Sequence, residues 1–328
     1  MNRRHLMQGS ALAISAAAAG LPLLSASGAE EPAIQAEEHW AKKGNVDLYL
    51  YRKRVPGREG QPVLMLVHGS SFSGRGGFDL QVPGLPRYSL MDEFARYGFD
   101  VWTMDHEGYG RSTRTDSNSD ILSGVEDLRA GLPVIERVTG RRSVMMFGQS
   151  SGAIRAGAFV NREPERVERL VLDAFTYTGE NAPEIMRRRA RVETFRASPY
   201  RRIDRSTFIG IFSRDDPSTF ELAVPEALAQ FELAMGDRVP SGTYLDMAVN
   251  LPLVNPAKIA CPVLMLRAEH DGNATEEELL QFFAALPVRD KQFVFMSEVA
   301  HVAVLGKNRH KLWHAMRAFL TYPMQGGA

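Results

Sequence analysis

The sequence is poor in cysteine and has no excess of charge of either sign. A single cysteine, Cys261, in 328 residues cannot form an intramolecular disulfide, so stability must come from a packed core. Lysine and arginine number 39, and aspartate and glutamate also number 39. The chain therefore lacks the basic excess that is typical of nucleic-acid binders. With 44% hydrophobic residues it is too apolar for a disordered chain, and its length fits one large α/β domain or two ordinary ones.

The first 29 residues have the pattern of an export signal. Arg3 and Arg4 precede an apolar, alanine-rich run over 11–24, and small residues follow up to Ala29. This order is typical of a signal peptide, and the paired arginines indicate the twin-arginine route. The apolar run is shorter than the roughly 20 residues that span a bilayer. We predict cleavage after Ala29 and a periplasmic or secreted protein without stable membrane insertion; an uncleaved anchor or a disordered start is the alternative.

Beyond the signal, segments of strand length alternate with longer segments of helical pattern. Strands are predicted at 45–52, 63–67, 99–104, 143–147, 170–172, 263–266 and 292–296, and helices at 90–97, 121–139, 152–162 and 308–320. Such alternation predicts the α/β class, with a doubly wound, mainly parallel sheet and helices on both faces.

Residues 178–250 interrupt this alternation. They contain no convincing strand, and helices are predicted at 183–196 and 217–235. We expect a helical cap, inserted before the penultimate strand, over the carboxyl ends of the strands where ligands bind. A packing appendage is the alternative. The core then consists of residues 30–177 and 251–328.

The segment Gly148-Gln149-Ser150-Ser151-Gly152 carries the clearest chemical signal. It fits the pattern G-x-S-x-G, follows a predicted strand directly and opens a predicted helix. A sharp strand-to-helix turn needs small neighbours and presents the central hydroxyl above the sheet edge. This context predicts Ser150 as a nucleophile, and a serine hydroxyl needs a base to be activated.

Among the eight histidines, His301 has the position that a base requires. It lies in a short loop after the last predicted strand, at the same sheet edge as Ser150, and late in the chain. His310 and His314 are four residues apart on the predicted last helix, but no third ligand is evident. We therefore predict no metal site.

The base needs a carboxylate that fixes its tautomer and stabilises the imidazolium. Asp271 follows a predicted strand and lies between Ser150 and His301 in the sequence. Asp173, at the end of the preceding strand, is the rival, and Glu269 is a weaker one. Asp271 is the preferred acid.

The loop His68-Gly69-Ser70-Ser71 follows the strand predicted at 63–67. A small loop at this point lets a backbone N–H reach a developing oxyanion, and the second donor is the N–H of the residue after the nucleophile. We assign the oxyanion hole to the N–H groups of Ser70 and Ser151, with Ser71 as the alternative to Ser70.

Together these motifs resemble serine hydrolases of the α/β-hydrolase fold with a helical cap, of the esterase or lactonase kind. The resemblance runs from about residue 46 to the end and rests on the residues quoted above and on the segment 105–112. It implies Ser150 as nucleophile, Asp271 as acid and His301 as base. One departure is Glu107, where the family pattern usually has arginine. A serine rather than an aspartate at position 150 argues against the dehalogenases and epoxide hydrolases of this fold.

The predicted cap is rich in arginine, with eight arginines between positions 187 and 205 and only Glu193 and Asp204 opposing them. Because an arginine fork binds carboxylate well, an ester or lactone with an anionic or polar tail is one hypothesis. A solvated helix face is the alternative. Candidate substrate contacts are Ser71, Tyr109, Arg187 and Arg191.

The sequence therefore predicts a serine hydrolase that cleaves a small-molecule ester or lactone through an acyl-enzyme, without cofactor, metal or nucleic acid. The same three residues would also serve amide or carbon–carbon bond hydrolysis or perhydrolysis. A non-catalytic ligand sensor is a further alternative, and the oligomeric state stays open.

Overall fold

The computed structural model describes residues 32–58 and 60–323. The predicted export signal lies outside the described residues. Within them, the strands are β1 (Gln35–Lys43), β2 (Val46–Arg54), β3 (Val63–Val67), β4 (Asp100–Met104), β5 (Val144–Gln149), β6 (Val167–Asp173), β7 (Tyr200–Arg202), β8 (Arg238–Pro240), β9 (Val263–Ala268) and β10 (Lys291–Met296). The helices are α1 (Gly74–Phe78), α2 (Leu90–Arg96), α3 (Ile121–Thr139), α4 (Ser151–Val160), α5 (Pro183–Arg189), α6 (Val192–Arg196), α7 (Arg205–Ser213), α8 (Ala223–Leu233), α9 (Gly242–Val249), α10 (Glu276–Ala285) and α11 (Arg309–Leu320).

Eight strands form one sheet in the order β1-β2-β4-β3-β5-β6-β9-β10. The pairs β1–β2 and β2–β4 are antiparallel, and all the other neighbours are parallel. The central strand β3 is buried along its whole length, as expected for a strand covered on both faces. Helices and their apolar side chains form two core clusters around the sheet. The α/β fold with a mainly parallel sheet is thus confirmed.

The edge strand β1 and the helices α1 and α10 were not predicted. In β1, polar and charged side chains alternate and only Ala41 is fully buried, so the strand lacks an apolar pattern. Helix α1 has the sequence GRGGF, which has low helix propensity. Helix α10 does carry a sequence signal, which is a threonine followed by three glutamates. In the structure Thr275 accepts a hydrogen bond from the Glu278 N–H, and the glutamates occupy the first turn, where the helix dipole favours acids.

The cap, between β6 and β9, differs in detail from the prediction of a segment without strands. Strands β7 and β8 pair as a small antiparallel sheet, and three residues are too few to show alternation in a sequence. The helix predicted at 183–196 is two helices, α5 and α6, separated at Ala190 and Arg191. The helix predicted at 217–235 begins later, at Ala223. Pro225 lies in its first turn, where the backbone N–H has no intrahelical partner.

The cap is attached to the core through polar side chains. Glu232 of α8 accepts hydrogen bonds from the Ser73 N–H at 2.8 Å and the Ser73 hydroxyl at 2.7 Å. In α9, Asp246 accepts a hydrogen bond from the Ile121 N–H at the start of α3 at 2.8 Å. None of the helices in the described part is both long and apolar enough to cross a membrane.

Candidate active site

The turn at Ser150 joins β5 to α4. Ser150 has φ +57° and ψ −127°, a conformation that L-residues with a side chain rarely adopt. Its flanking glycines are required by close packing. A Cβ at Gly148 would lie 2.5 Å from the Gly152 carbonyl oxygen, and a Cβ at Gly152 would lie 2.2 Å from the Val67 carbonyl oxygen. The two glycines thus let α4 start directly against β3 with the serine at its tip.

The structure brings Ser150, His301 and Asp271 together. His301 Nδ1 lies 2.9 Å from Asp271 Oδ1, and His301 Nε2 lies 3.1 Å from Ser150 Oγ. Since a carboxylate only accepts, Nδ1 carries the proton and donates it to Asp271, which leaves Nε2 to accept from the Ser150 hydroxyl. The three side chains come from three different strand ends and form one continuous relay.

The Asp271 carboxylate is almost completely buried, with 3% of its surface exposed. Burial disfavours its charged form, but the electrostatic attraction of His301 and the hydrogen bonds from His301 and the Asn273 N–H outweigh burial. These interactions hold the pKa of Asp271 well below its usual range. Asp271 therefore stays ionised and can stabilise a positive imidazole.

The two rival acids do not contact His301. Asp173 is fully buried. Burial and the neighbouring charge of Asp271 raise the pKa of Asp173 well above its usual range. Its carbonyl accepts the Ser150 N–H at 2.9 Å. Glu269 is 41% exposed and accepts the Glu298 N–H at 2.7 Å.

The other histidines are placed for different tasks. His68 lies 2.8 Å from the Gly69 carbonyl through Nδ1 and accepts the His106 N–H through Nε2 at 3.0 Å, so it fixes the loop beside Ser150. His106 Nδ1 lies 3.1 Å from Asp127. His310 and His314 are exposed on α11. Within residues 32–58 and 60–323, no group of three metal-ligating side chains converges.

The loop predicted to supply the oxyanion hole lies against α4. The Ser70 hydroxyl is 2.8 Å from the Ser151 hydroxyl and 2.6 Å from the hydroxyl of Thr243 on the cap helix α9. Ser151 is the first residue of α4, so its N–H has no partner within the helix. Ser71 has φ +81°, and its hydroxyl accepts a hydrogen bond from Arg201 at 2.5 Å. The loop and the helix start are thus held together by a chain of hydroxyl groups.

A family model described as Hydrolase_4, "Serine aminopeptidase, S33", matches residues 87–307. The chain belongs to this family. It is therefore a hydrolase of the α/β-hydrolase fold, and the matched range includes Ser150, Asp271 and His301. No curated protein sequence matches the chain.

Solved structures of the same fold carry several activities in their names. A carboxylesterase from Bacillus subtilis has a TM-score of 0.64 at 15% identity, over 88% of this chain and 93% of that chain. A thermophilic esterase from Thermogutta terrifontis has a TM-score of 0.59 at 21% identity, over 87% and 98%. The 2-hydroxy-6-oxo-6-phenylhexa-2,4-dienoate hydrolase from Rhodococcus sp. strain RHA1 has a TM-score of 0.62 at 19% identity, over 88% of this chain and 100% of that chain. At such identities the likeness concerns the fold alone.

A cavity of about 20 Å³ lies beside Ser150, which is room for about one water molecule. Its walls come from the loop after β3, from the Ser150 turn, from His301 and from the cap. The lining residues are Gly69, Ser70, Ser71, Phe72, Gln149, Ser150, Arg188, Ile211, Arg214, Tyr244, His301 and Val302. Among these there is no acidic side chain.

Of the four predicted substrate contacts, Ser71 lines this cavity and the other three do not. Tyr109 is buried with its ring centroid 4.9 Å from that of His68, and its hydroxyl has no hydrogen-bond partner among the residues that the structure describes. Arg187 pairs with Glu184, and the Arg191 guanidinium lies 5.8 Å from the Phe195 ring. Both arginines line a second cavity of about 510 Å³ within the cap, which shares Arg188, Ile211 and Tyr244 with the first.

At the departure from the family pattern, Glu107 takes part in a local ion-pair cluster. Lys43 of β1 lies 2.7 Å from Glu107 and also contacts Asp127. The Glu107 N–H donates to Asp127 at 3.1 Å. Glu107 does not line the cavity beside Ser150, so the change at this position leaves the relay untouched.

Sequence reasoning missed Asn273, Arg188, Arg214 and Tyr244. The Asn273 amide nitrogen lies 3.3 Å from His301 Nε2, and its oxygen accepts from Arg214 at 3.2 Å. Asn273 lies only two residues after Asp271, so its proximity carried a signal. The side chains of the cap carried no such signal, because an arginine-rich sequence does not show which arginine points inward.

Proposed function

We propose that the protein is a serine hydrolase that cleaves a carboxylic ester or lactone through an acyl-enzyme on Ser150. The observation that carries the proposal is the relay of 3.1 Å and 2.9 Å from the Ser150 hydroxyl through His301 to ionised Asp271. This arrangement has the nucleophile, the base and the orienting acid within hydrogen-bond reach of one another.

In the proposed reaction, Ser150 Oγ attacks the substrate carbonyl while its proton moves to His301 Nε2. Asp271 stabilises the resulting imidazolium, and the N–H groups of Ser70 and Ser151 hold the oxyanion. The tetrahedral intermediate collapses, and His301 gives its proton to the departing alkoxide. A water molecule, deprotonated by His301, then attacks the acyl-enzyme and releases the acid and free Ser150.

An ester substrate agrees better with the site than the aminopeptidase activity in the family description. An aminopeptidase must accept a positively charged α-amino group, which an acidic side chain would stabilise. The cavity beside Ser150 instead contains Arg188 and Arg214 and, among its lining residues, no carboxylate. A substrate ammonium group would therefore meet charges of its own sign.

The test combines active-site labelling with a substrate panel. We expect a fluorophosphonate to modify the protein once, at Ser150, as read by peptide mass spectrometry. Ser150→Ala should abolish both labelling and hydrolysis, whereas Ser143→Ala, at a partly exposed serine that is hydrogen-bonded to Glu168, should change neither. The panel contains p-nitrophenyl esters, lactones and aminoacyl p-nitroanilides. Full hydrolytic activity of Ser150→Ala would overturn the proposal. Preferred cleavage of the anilides would indicate a peptidase instead of an esterase.

We also propose that the protein acts outside the cytoplasm, after export by the twin-arginine route. The proposal rests on the paired Arg3 and Arg4 ahead of the apolar run. In a bacterial host, the double change Arg3→Lys, Arg4→Lys should keep the precursor in the cytoplasm, as seen by fractionation and by the mass of the N-terminus. Undiminished export of the double variant would contradict this route.

A further inference from the structure

Arginine side chains surround one tyrosine at the boundary between the two cavities. The guanidinium carbons of Arg188 and Arg201 lie 4.4 Å and 4.1 Å from the centroid of the Tyr244 ring. Arg188 and Tyr244 line both cavities, and Arg201 lines the cap cavity. Cation–π contacts of this kind hold guanidinium groups in place. The cap thus presents two fixed positive charges close to Ser150.

The positive charges near Ser150 are only partly balanced. Arg214 pairs with Asp215 at 3.3 Å and with Glu184 at 3.6 Å. By contrast, no carboxylate of the described residues lies within 4.0 Å of Arg188 or Arg201.

The hydrogen bonds of these two arginines are also incomplete. Arg188 has 6% of its surface exposed, and among the described residues its hydrogen-bond partners are Met247 Sδ at 3.3 Å and the Asn273 amide oxygen at 3.5 Å. Arg201 donates to the Ser71 hydroxyl, and its buried Nε has no hydrogen-bond partner within residues 32–58 and 60–323. A buried charge without a counter-ion is costly, so this arrangement is explained if an anion occupies the site in function.

Tyr244 responds to this excess of positive charge. Burial alone would raise the pKa of its hydroxyl, but the charges of Arg201, Arg188 and Arg214 outweigh burial and lower the pKa of Tyr244 to about 7. A phenol that ionises this readily indicates a strongly positive local potential.

We propose that Arg188 and Arg201 form a subsite for a carboxylate carried by the substrate, so that the enzyme prefers esters or lactones that contain a free carboxylate group. The proposal rests on the proposed function, because it assigns the substrate of the same Ser150 site. The planar fork of arginine matches a carboxylate, and the subsite lies where a group attached to the reacting ester enters the cap cavity. Arg187 and Arg191, the two candidates from the sequence, are exposed and do not line the cavity beside Ser150, so the proposed subsite does not require them.

The experiment compares matched pairs of substrates. p-Nitrophenyl hemiglutarate and p-nitrophenyl valerate differ by a carboxylate on the acyl side, and 4-carboxyphenyl butyrate and phenyl butyrate differ by one on the leaving group. We expect kcat/KM for the charged member of at least one pair to exceed that of its neutral partner by about 10-fold or more. In Arg201→Gln this ratio should fall by about 10-fold, because kcat/KM for the charged ester should fall much more than kcat/KM for the neutral ester, and Arg201→Lys should restore part of the preference.

The controls separate a binding role from a structural one. Arg196→Gln, at an exposed arginine of α6 that pairs with Glu193, should keep the parent ratio. Loss of structure would lower kcat/KM for both members of a pair equally. If Arg188→Gln fails to fold, Arg201→Gln and Arg201→Lys still decide the question.

A readout independent of turnover uses Ser150→Ala protein with glutarate. Glutarate should raise the Tm of this protein, and the shift should disappear in Ser150→Ala, Arg201→Gln. If both members of each pair are hydrolysed equally and glutarate has no effect, the subsite is refuted while the hydrolase function stands. If no ester is hydrolysed and Ser150 is not labelled, the proposed function fails, and the glutarate shift still reports on the subsite.

Discussion

The strained backbone at Ser150 leads to a prediction about stability. Two substitutions at this position both remove the hydroxyl, but only one removes the Cβ. Ser150→Ala keeps a side chain in the unfavourable conformation, with φ +57° and ψ −127°, whereas Ser150→Gly releases the strain because glycine adopts positive φ readily. We therefore expect the glycine variant to be the more stable of the two.

The size of the difference follows from two opposing contributions. A residue with a Cβ in such a region of the φ/ψ map costs about 1–3 kcal/mol. Glycine loses about 0.5–1 kcal/mol relative to alanine, because its unfolded chain is more flexible. The balance favours Ser150→Gly by about 1 kcal/mol, which corresponds to a Tm higher by about 2 °C for a chain of this size.

Urea denaturation of the two variants, followed by circular dichroism, measures the difference in the free energy of unfolding. Ala130→Gly, within the regular helix α3, is the matched control and should lower stability by about 0.5–1 kcal/mol. Ala130→Gly measures the ordinary loss of stability when alanine is replaced by glycine. The reasoning is refuted if Ser150→Gly has a free energy of unfolding lower than that of Ser150→Ala by this same amount. In that case the turn at Ser150 stores no strain.

Three further predictions follow from contacts within the fold. Asp271→Asn should lower kcat of ester hydrolysis by about 10³–10⁴-fold with little change in KM, because the His301 tautomer is no longer fixed; a loss below 10-fold in steady-state assays would contradict the relay. Burial raises the pKa of Glu232 to about 8, so its folded form keeps a proton that the unfolded chain releases near pH 4.5, and stability falls as pH rises between these values. Glu232→Gln should remove this dependence on pH. The free energy of unfolding of the variant, measured in urea, should therefore rise relative to that of the parent protein by up to about 1.4 kcal/mol per pH unit between pH 5 and 8. A difference between variant and parent that does not change with pH would contradict this prediction. Gly152→Ala, whose Cβ would lie 2.2 Å from the Val67 carbonyl, should cost about 1–3 kcal/mol or more in thermal unfolding, whereas Gly77→Ala, with nothing within 4 Å, should cost little; equal effects would show that the turn can shift.

The part of the site nearest to the sheet was predictable from sequence because its positions follow from topology. Parallel strands end at one edge, so residues directly after them meet in space. Ser150, Asp271 and His301 each follow such a strand, and the glycines beside Ser150 mark the sharp turn. At these positions the local sequence pattern therefore also predicts where the residue lies in space.

The cap side of the site could not be predicted in this way. On α5, Arg188 is buried while Arg187 and Arg189 are not, and a run of arginines has no hydrophobic pattern to show which one faces inward. Arg201 lies on β7, which exists only because β8, almost forty residues later, pairs with it. These positions depend on long-range packing, whereas the candidates that the sequence offers for substrate contact are Arg187 and Arg191.

The hydroxyl link between Thr243 and Ser70 has a consequence for protein engineering. Helix α9 is part of the inserted segment in sequence, yet Thr243 contacts the loop beside the nucleophile and Gly242 donates its N–H to the Asn118 carbonyl of the core at 2.8 Å. A chimera that exchanges the whole cap for that of another hydrolase would remove this support together with the substrate-facing helices. Grafts that end before Ser241 and leave α9 in place would exchange the rest of the cap and keep the contact between Thr243 and Ser70.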